Sequence, residues 1–128
     1  MLPVLRPQGG QEEIKALTEV IESGWWGKGP KVAQFEKEFA EMVGAKYAIA
    51  VTSNSHGQDL VMKALDIKDG DVINPTISFM ATAMIPLWQP NITTNVVDVD
   101  PITMNIDPED VRKHITPNTK AIIVVNEA

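Results

Sequence analysis

The stretch Tyr47-Ala48-Ile49-Ala50-Val51-Thr52-Ser53-Asn54-Ser55-His56-Gly57 joins an apolar run to a small, hydroxyl-rich turn. The apolar run, residues 47–51, predicts a strand, and the apolar residues that follow at helical spacing predict a helix over residues 54–65. The first N–H groups of a helix have no partners inside it, and its dipole favours negative charge there. A turn of this kind can therefore bind an anion such as a phosphate.

Two interpretations of the turn Ser53-Asn54-Ser55 are open on these residues alone. The serine hydroxyls are hydrogen-bond donors, and Asn54 adopts unusual backbone angles more readily than most residues, which together suit a phosphate site. The same residue types are also the preferred N-caps of ordinary helices. The turn thus predicts either an anion site or a plain helix cap.

Strands and helices alternate along the rest of the chain. Further strands are predicted over residues 71–74, 95–99 and 121–125, and further helices over 11–22, 31–43, 79–87 and 108–114. A repeated strand–helix–strand order predicts an α/β fold with three αβα layers around a mainly parallel sheet. In such sheets ligands bind at the carboxyl ends of the strands.

Composition excludes several classes of function. With 11 Lys and Arg against 17 Asp and Glu, the net charge of −6 argues against nucleic-acid and anionic-membrane partners. The chain has no cysteine, so it forms neither disulfides nor thiolate metal sites. No apolar run is long enough to span a membrane. The pair Asp98 and Asp100 alone offers too few ligands for a metal site, so none is predicted, and a cytoplasmic location is expected.

Five segments resemble, in order, signature segments of the DegT/DnrJ/EryC1/StrS sugar aminotransferases, which are fold-type-I enzymes that use pyridoxal 5′-phosphate (PLP). The segments are SGWWGKGPKV (23–32), AIAVTSNS (48–55), NPTISFMATA (74–83), VDVDPITMNIDP (97–108) and ITPNTKAII (115–123). The resemblance implies that residues 1–46 form N-terminal helices with an entrance loop. Residues 47–128 would form a truncated part of the large, PLP-binding domain.

The resemblance also implies roles for individual residues. The backbone amides of Asn54 and Ser55, with the Ser55 hydroxyl and neighbouring Ser53, would hold the PLP phosphate. Phe79 would stack on the pyridine ring, and the loop Trp25–Pro30 would lie near the active-site entrance and the subunit interface. On the residues alone, an ordinary core aromatic is the favoured interpretation of Phe79, because phenylalanine is usually buried.

The implied activity is transfer of an amino group from an amino acid to a nucleotide-linked keto-sugar, in nucleotide sugar biosynthesis, by a homodimer. None of the nine lysines aligns with the family's Schiff-base lysine, so no catalytic residue is assigned and the 128-residue chain alone is expected to be inactive. The chain stops directly after a predicted strand, which suggests a fragment that rearranges or oligomerises by itself. The alternative is a non-catalytic PLP- or nucleotide-binding α/β module.

Overall fold

A computed structural model describes residues 6–126, which fall into two units that divide between Ala50 and Val51. The prediction of a truncated domain concerns the end of the chain, where Glu127 and Ala128 lie outside the described residues. Within residues 6–126 no helix has the length and apolar character needed to cross a bilayer.

Two helices make up most of the first unit, α1 (Gln11–Ser23) and α2 (Pro30–Val43). Helix α1 begins where the Glu13 carboxylate accepts a 2.6 Å hydrogen bond from the backbone N–H of Gly10. Proline occupies the first position of α2, where its missing N–H costs nothing. Both helices are amphipathic, yet most of their apolar side chains are exposed, and Ala40 is the one buried apolar residue among those described on α1 and α2.

A parallel sheet organises the second unit. Its helices are α3 (Asn54–Ala64), α4 (Met80–Met84) and α5 (Pro108–His114), and its strands are β1 (Asp69–Pro75), β2 (Asn91–Val97) and β3 (Thr119–Ile122). The strand order is β2-β1-β3, with both pairs parallel. Strand β1 is therefore central, and its last four residues are buried.

Helices cover both faces of this sheet. On one face Val72 packs with Met62 of α3. On the other face Ile73 packs with Val97 and with Val111 of α5. Helix α4 lies on the α3 side, because Thr94 of β2, which shares that face with Ile92, donates a 3.1 Å hydrogen bond to the Ala83 carbonyl. The predicted αβα layering is thus confirmed.

The strand predicted over residues 47–51 is absent. Tyr47 and Ile49 are each 74% exposed, and no described strand pairs with this segment. An apolar run becomes a strand only when a neighbour accepts and donates its backbone hydrogen bonds. The apolar pattern therefore shows that residues 47–51 are suited to a strand, but no described strand is present to pair with them.

Other element boundaries also differ from prediction. The helix expected over residues 79–87 ends at Met84 and continues as a 3₁₀ turn, Pro86–Trp88, because proline has no N–H to extend an α-helix. The helical spacing of Met80 and Met84 predicts that both are core residues, but their side chains are 74% and 46% exposed. Strand β2 begins four residues earlier than predicted, and β3 ends three residues earlier. Helix α5 has the predicted bounds, with Asp107 as its N-cap.

Candidate functional site

The turn before α3 is built around Ser53. Its backbone is extended (φ −163°, ψ 162°), and its side-chain oxygen accepts a 3.2 Å hydrogen bond from the N–H of His56. Its carbonyl accepts the N–H of Gly57 at 3.0 Å, which is the first bond of the helix. Ser53 is therefore the N-cap of α3 and satisfies one of the helix's unpaired donors.

Two backbone donors at this helix end remain available. In the part of the chain that the structure describes, the N–H groups of Asn54 and Ser55 have no acceptor. Both belong to the first turn of an 11-residue helix, where the N–H groups point out from the helix end and the dipole adds partial positive charge. Asn54 is exposed and Ser55 half-buried. This donor set suits a phosphate, whose oxygens only accept hydrogen bonds when ionised.

His56 interacts with the hydroxyls of the same turn. Its Nδ1 lies 2.9 Å from Thr52 Oγ1 and 3.0 Å from Ser53 Oγ. The Ser53 oxygen already accepts from the His56 backbone, so its hydroxyl hydrogen is free to be donated to the imidazole. The Ser53 side chain thus contacts both the backbone N–H and the ring of His56 within the turn, whereas the N–H groups of Asn54 and Ser55 have no acceptor among the described residues.

Phe79 lies at the carboxyl end of the sheet. It follows the end of β1 by four residues and is the N-cap of α4, with an extended backbone (φ −67°, ψ 140°). Its side chain is 80% exposed, so it is not part of the core that the described residues form. Helices α3 and α4 contact each other. The structure therefore brings the elements that carry Ser53, Asn54, Ser55 and Phe79 to one face of the sheet.

Two buried amides in the same unit were not identified from the sequence. Asn74 of β1 is fully buried, and the Gln58 side-chain oxygen on α3 is buried as well. The signal was an asparagine within the buried end of an otherwise apolar strand, which is unusual because strands disfavour asparagine. The predicted strand 71–74 ends at Asn74, so the sequence placed it at a strand terminus without indicating that its side chain is buried.

The loop Trp25–Pro30 lies in the first unit and connects α1 to α2, whose first residue is Pro30. It borders a cavity of about 310 Å³ whose lining includes Trp25, Trp26 and Val32. Lys31 Nζ lies 2.7 Å from Glu19 Oε2 at this cavity, and its hydrogen bond and positive charge lower the pKa of Glu19. Trp25 and Trp26 are 61% and 77% exposed, which leaves two large aromatic surfaces uncovered in this loop.

Comparison with known proteins matches nearly the whole chain. The DegT/DnrJ/EryC1/StrS aminotransferase family matches residues 7–128. The spore coat polysaccharide biosynthesis protein SpsC of Bacillus subtilis (strain 168) is 46% identical over 126 residues, which cover 98% of this chain and 32% of that protein. The chain thus spans about a third of the length of this relative.

Two solved structures share the fold. The crystal structure of 3-amino-5-hydroxybenzoic acid (AHBA) synthase has a TM-score of 0.88 at 36% identity, covering 95% of this chain and 32% of that one. The E. coli GDP-4-keto-6-deoxy-D-mannose-3-dehydratase with bound hydrated PLP has a TM-score of 0.87 at 31% identity, covering 95% and 33%. The expected fold, part of the large domain of a fold-type-I transferase, is confirmed. The chain belongs to the DegT/DnrJ/EryC1/StrS aminotransferase family.

Proposed function

We propose that this chain is the N-terminal part of a PLP-dependent aminotransferase and that the turn before α3 binds the PLP phosphate. The observation that carries the proposal is the pair of backbone N–H groups of Asn54 and Ser55, which have no acceptor among the described residues at the N-terminus of α3. Membership of the family and the bound PLP in the 3-dehydratase relative support it.

The chain's own residues would bind and orient the cofactor. The Asn54 and Ser55 amides and the Ser55 hydroxyl would donate to the phosphate, with Ser53 holding the turn as the helix cap. Phe79, which is exposed after β1, would place its ring against the pyridine and exclude water from one side of it. When bound, PLP supplies an electron-accepting pyridine ring.

The proposed substrates are an amino acid donor and a nucleotide-linked keto-sugar. Two relatives support a sugar substrate by their names, one a polysaccharide biosynthesis protein and the other a dehydratase of a GDP-linked keto-sugar. We further propose that the full-length protein is a cytoplasmic homodimer. Light scattering of the purified protein would measure twice the subunit mass if the dimer is correct.

The catalytic amine is proposed to come from sequence outside residues 1–128. No lysine here aligns with the family's catalytic lysine, and the chain spans about a third of its relatives. We expect the 128-residue chain with PLP and borohydride to give no stoichiometric lysine adduct at one position, as read by peptide mass spectrometry. A single stoichiometric adduct would show that the reactive lysine is in this chain.

A second candidate is PLP-dependent dehydration of a keto-sugar, because a structural relative at 31% identity is a 3-dehydratase. The two candidates predict different products from one nucleotide-linked keto-sugar. An aminotransferase yields an amino-sugar that carries the donor's nitrogen, whereas a dehydratase yields a deoxy-sugar. Mass spectrometry with ¹⁵N-labelled glutamate distinguishes them.

The phosphate site is tested by two serine substitutions in the full-length protein. Ser55→Ala removes a proposed phosphate donor, and we expect PLP affinity to fall about tenfold or more, since a hydrogen bond to a charged group contributes about 1.5–3 kcal/mol. Ser53→Ala removes the cap bond, and we expect it to lower stability by about 1 kcal/mol with a smaller effect on PLP affinity. Unchanged PLP affinity in Ser55→Ala would contradict the phosphate assignment.

A further inference from the structure

Asn74 is an unusual residue for its place in the sheet. It is fully buried in the central strand β1, and neither its side-chain nitrogen nor its oxygen has a hydrogen-bond partner among the described residues. The Oε1 atom of Gln58 on α3 is also buried and has no partner in this part of the chain. A buried amide without a partner costs free energy, and most such groups in folded proteins are bonded to protein or to ordered water.

Strand alternation shows which face of the sheet Asn74 occupies. Asn74 is two residues beyond Val72 on β1, so both side chains lie on one face, about 6.6 Å apart along the strand. Val72 belongs to the core cluster that contains Met62 of α3. Asn74 therefore lies on the α3 face of the sheet, toward the carboxyl end of β1.

The spacing along α3 places Gln58 at the level of Asn74. Gln58 precedes Met62 by four residues, which puts it on the same side of the helix and about 6 Å nearer the helix N-terminus. Residues 65–68 join α3 directly to β1, so the helix and the strand run in opposite directions. The step from Met62 to Gln58 therefore matches the step from Val72 to Asn74 in both direction and length.

A cavity of about 390 Å³ adjoins this region, and its lining includes Gln58 and Ile123. Ile123 follows Ile122, which pairs with Ile73, and its N–H donates to the Ile73 carbonyl at 2.8 Å. Ile123 therefore lies beside Asn74 on the neighbouring strand. A water needs only about 10–15 Å³ of such volume, together with polar groups to bond to, so the space next to Gln58 is large enough for one.

We propose that one ordered water molecule bridges Asn74 and Gln58. No hydrogen bond joins the two amides directly. Their three unpaired atoms are one donor, Asn74 Nδ2, and two acceptors, Asn74 Oδ1 and Gln58 Oε1. Water is the complement of this set, because it accepts a hydrogen from Nδ2 and donates its own two hydrogens to the two oxygens. Three hydrogen bonds are also typical of a buried water.

The water site connects the core of the sheet to the candidate phosphate turn. The water holds the oxygen end of the Gln58 amide, and the nitrogen end donates to Asn54 Oδ1 at 3.4 Å. Asn54 carries one of the two N–H groups that have no acceptor among the described residues. Gln58 is thus a positioning residue for Asn54. This part of the inference rests on the proposed PLP site, whereas the water site does not.

A high-resolution crystal structure of the full-length protein tests the water site directly. We expect a water oxygen within about 3.2 Å of both Asn74 Nδ2 and Gln58 Oε1. A direct bond between the two amides, a side chain from elsewhere in the full-length protein at this position, or no density between them would each overturn the proposal.

Oxygen-17 relaxation dispersion, which counts long-lived buried waters, tests the same site in solution. Asn74→Val removes two of the three partners and Gln58→Leu removes one, so we expect each variant to hold one long-lived water fewer per subunit than the wild type. Two variants are used because Asn74 lies in the central strand, where a substitution can prevent folding. Gln34→Leu is the matched control, since Gln34 is exposed on α2, and it should keep the wild-type count. An unchanged count in a folded Asn74→Val or Gln58→Leu variant would refute the site.

PLP titration of the full-length variants, followed by absorbance and by the ³¹P resonance of the bound phosphate, tests the positioning role. Gln58→Leu loses the bond to Asn54, so it should bind PLP about three- to tenfold more weakly and shift the ³¹P resonance, whereas Gln34→Leu should do neither. Wild-type affinity and resonance in Gln58→Leu would refute positioning. A wild-type protein that binds no PLP would instead refute the proposed function, and the crystal structure and the water count would still decide whether the water site exists.

Discussion

Substitution of Gly70 by alanine should destabilise the sheet more than any other glycine-to-alanine change among the described glycines. Gly70 is the second residue of β1 and has φ +90°, which side chains rarely adopt. An added Cβ would lie 2.3 Å from the Asn118 carbonyl oxygen. That carbonyl also accepts the N–H of Asp71 at 3.0 Å, so the loop before β3 cannot move away without breaking the bond.

The magnitude follows from two separable costs. A left-handed backbone costs a non-glycine residue about 1–2 kcal/mol. Forcing a methyl group into packed atoms costs about 1–3 kcal/mol more. Gly70→Ala should therefore lower the free energy of unfolding by about 2–5 kcal/mol.

Gly44→Ala is the matched control, because Gly44 has φ +69° but nothing within 4 Å of an added Cβ. It should show the backbone cost alone, and Gly27→Ala, with neither a positive φ nor a neighbour, should show little change. The assay is urea unfolding of the full-length protein, followed by circular dichroism. If Gly70→Ala costs no more than Gly44→Ala, the close approach of Asn118 to β1 is wrong.

Three further predictions concern the stability of the second unit. Asp107→Ala should cost about 1 kcal/mol in urea unfolding, because Asp107 Oδ1 accepts the Glu109 N–H at 2.8 Å as the N-cap of α5, and Asp107→Ser should recover most of it. Ile73→Ala should lower the free energy of unfolding by about 2–5 kcal/mol, since Ile73 of β1 is fully buried against α5. A loss of less than about 1 kcal/mol would mean that the surrounding side chains relax and fill the cavity. The pKa of Asp110 is lowered below its usual 3.8, chiefly by the hydrogen bond from the Asp98 N–H, so the stability that it contributes is present above that value and is lost as pH falls through the lowered pKa. Wild type should therefore exceed Asp110→Asn in thermal stability at neutral pH, and the two should converge in strong acid.

Elements with local signals were predicted well from the sequence. Helix α5 has the predicted bounds because Asp107 caps it, Pro108 begins it and three basic residues end it, all within eight residues of chain. The turn Ser53-Asn54-Ser55 was located correctly as the start of α3 for the same reason. Both depend on contacts between residues only a few positions apart.

Features that depend on distant partners were not predictable in this way. Residues 47–51 have the composition of a strand but form none, because pairing requires a neighbouring strand that no described residue supplies. Asp69 and Gly70 have the composition of a turn but lie within β1, because the strand is paired there to Asn91 and Ile92 of β2. The residue types indicate which secondary structure a segment prefers, whereas pairing with a neighbouring strand decides which structure it forms.

The sequence by itself determined the αβα class, the bounds of α5 and the position of the turn Ser53-Asn54-Ser55 before α3, because periodicity, caps and turns are set by neighbouring residues. The tertiary structure alone decided that Asn74 is fully buried in the central strand β1, that Phe79 is exposed beyond the carboxyl end of β1, and that the N–H groups of Asn54 and Ser55 have no acceptor among the described residues. These properties arise from which face of the sheet each helix covers, and that choice is made by residues far apart in the chain.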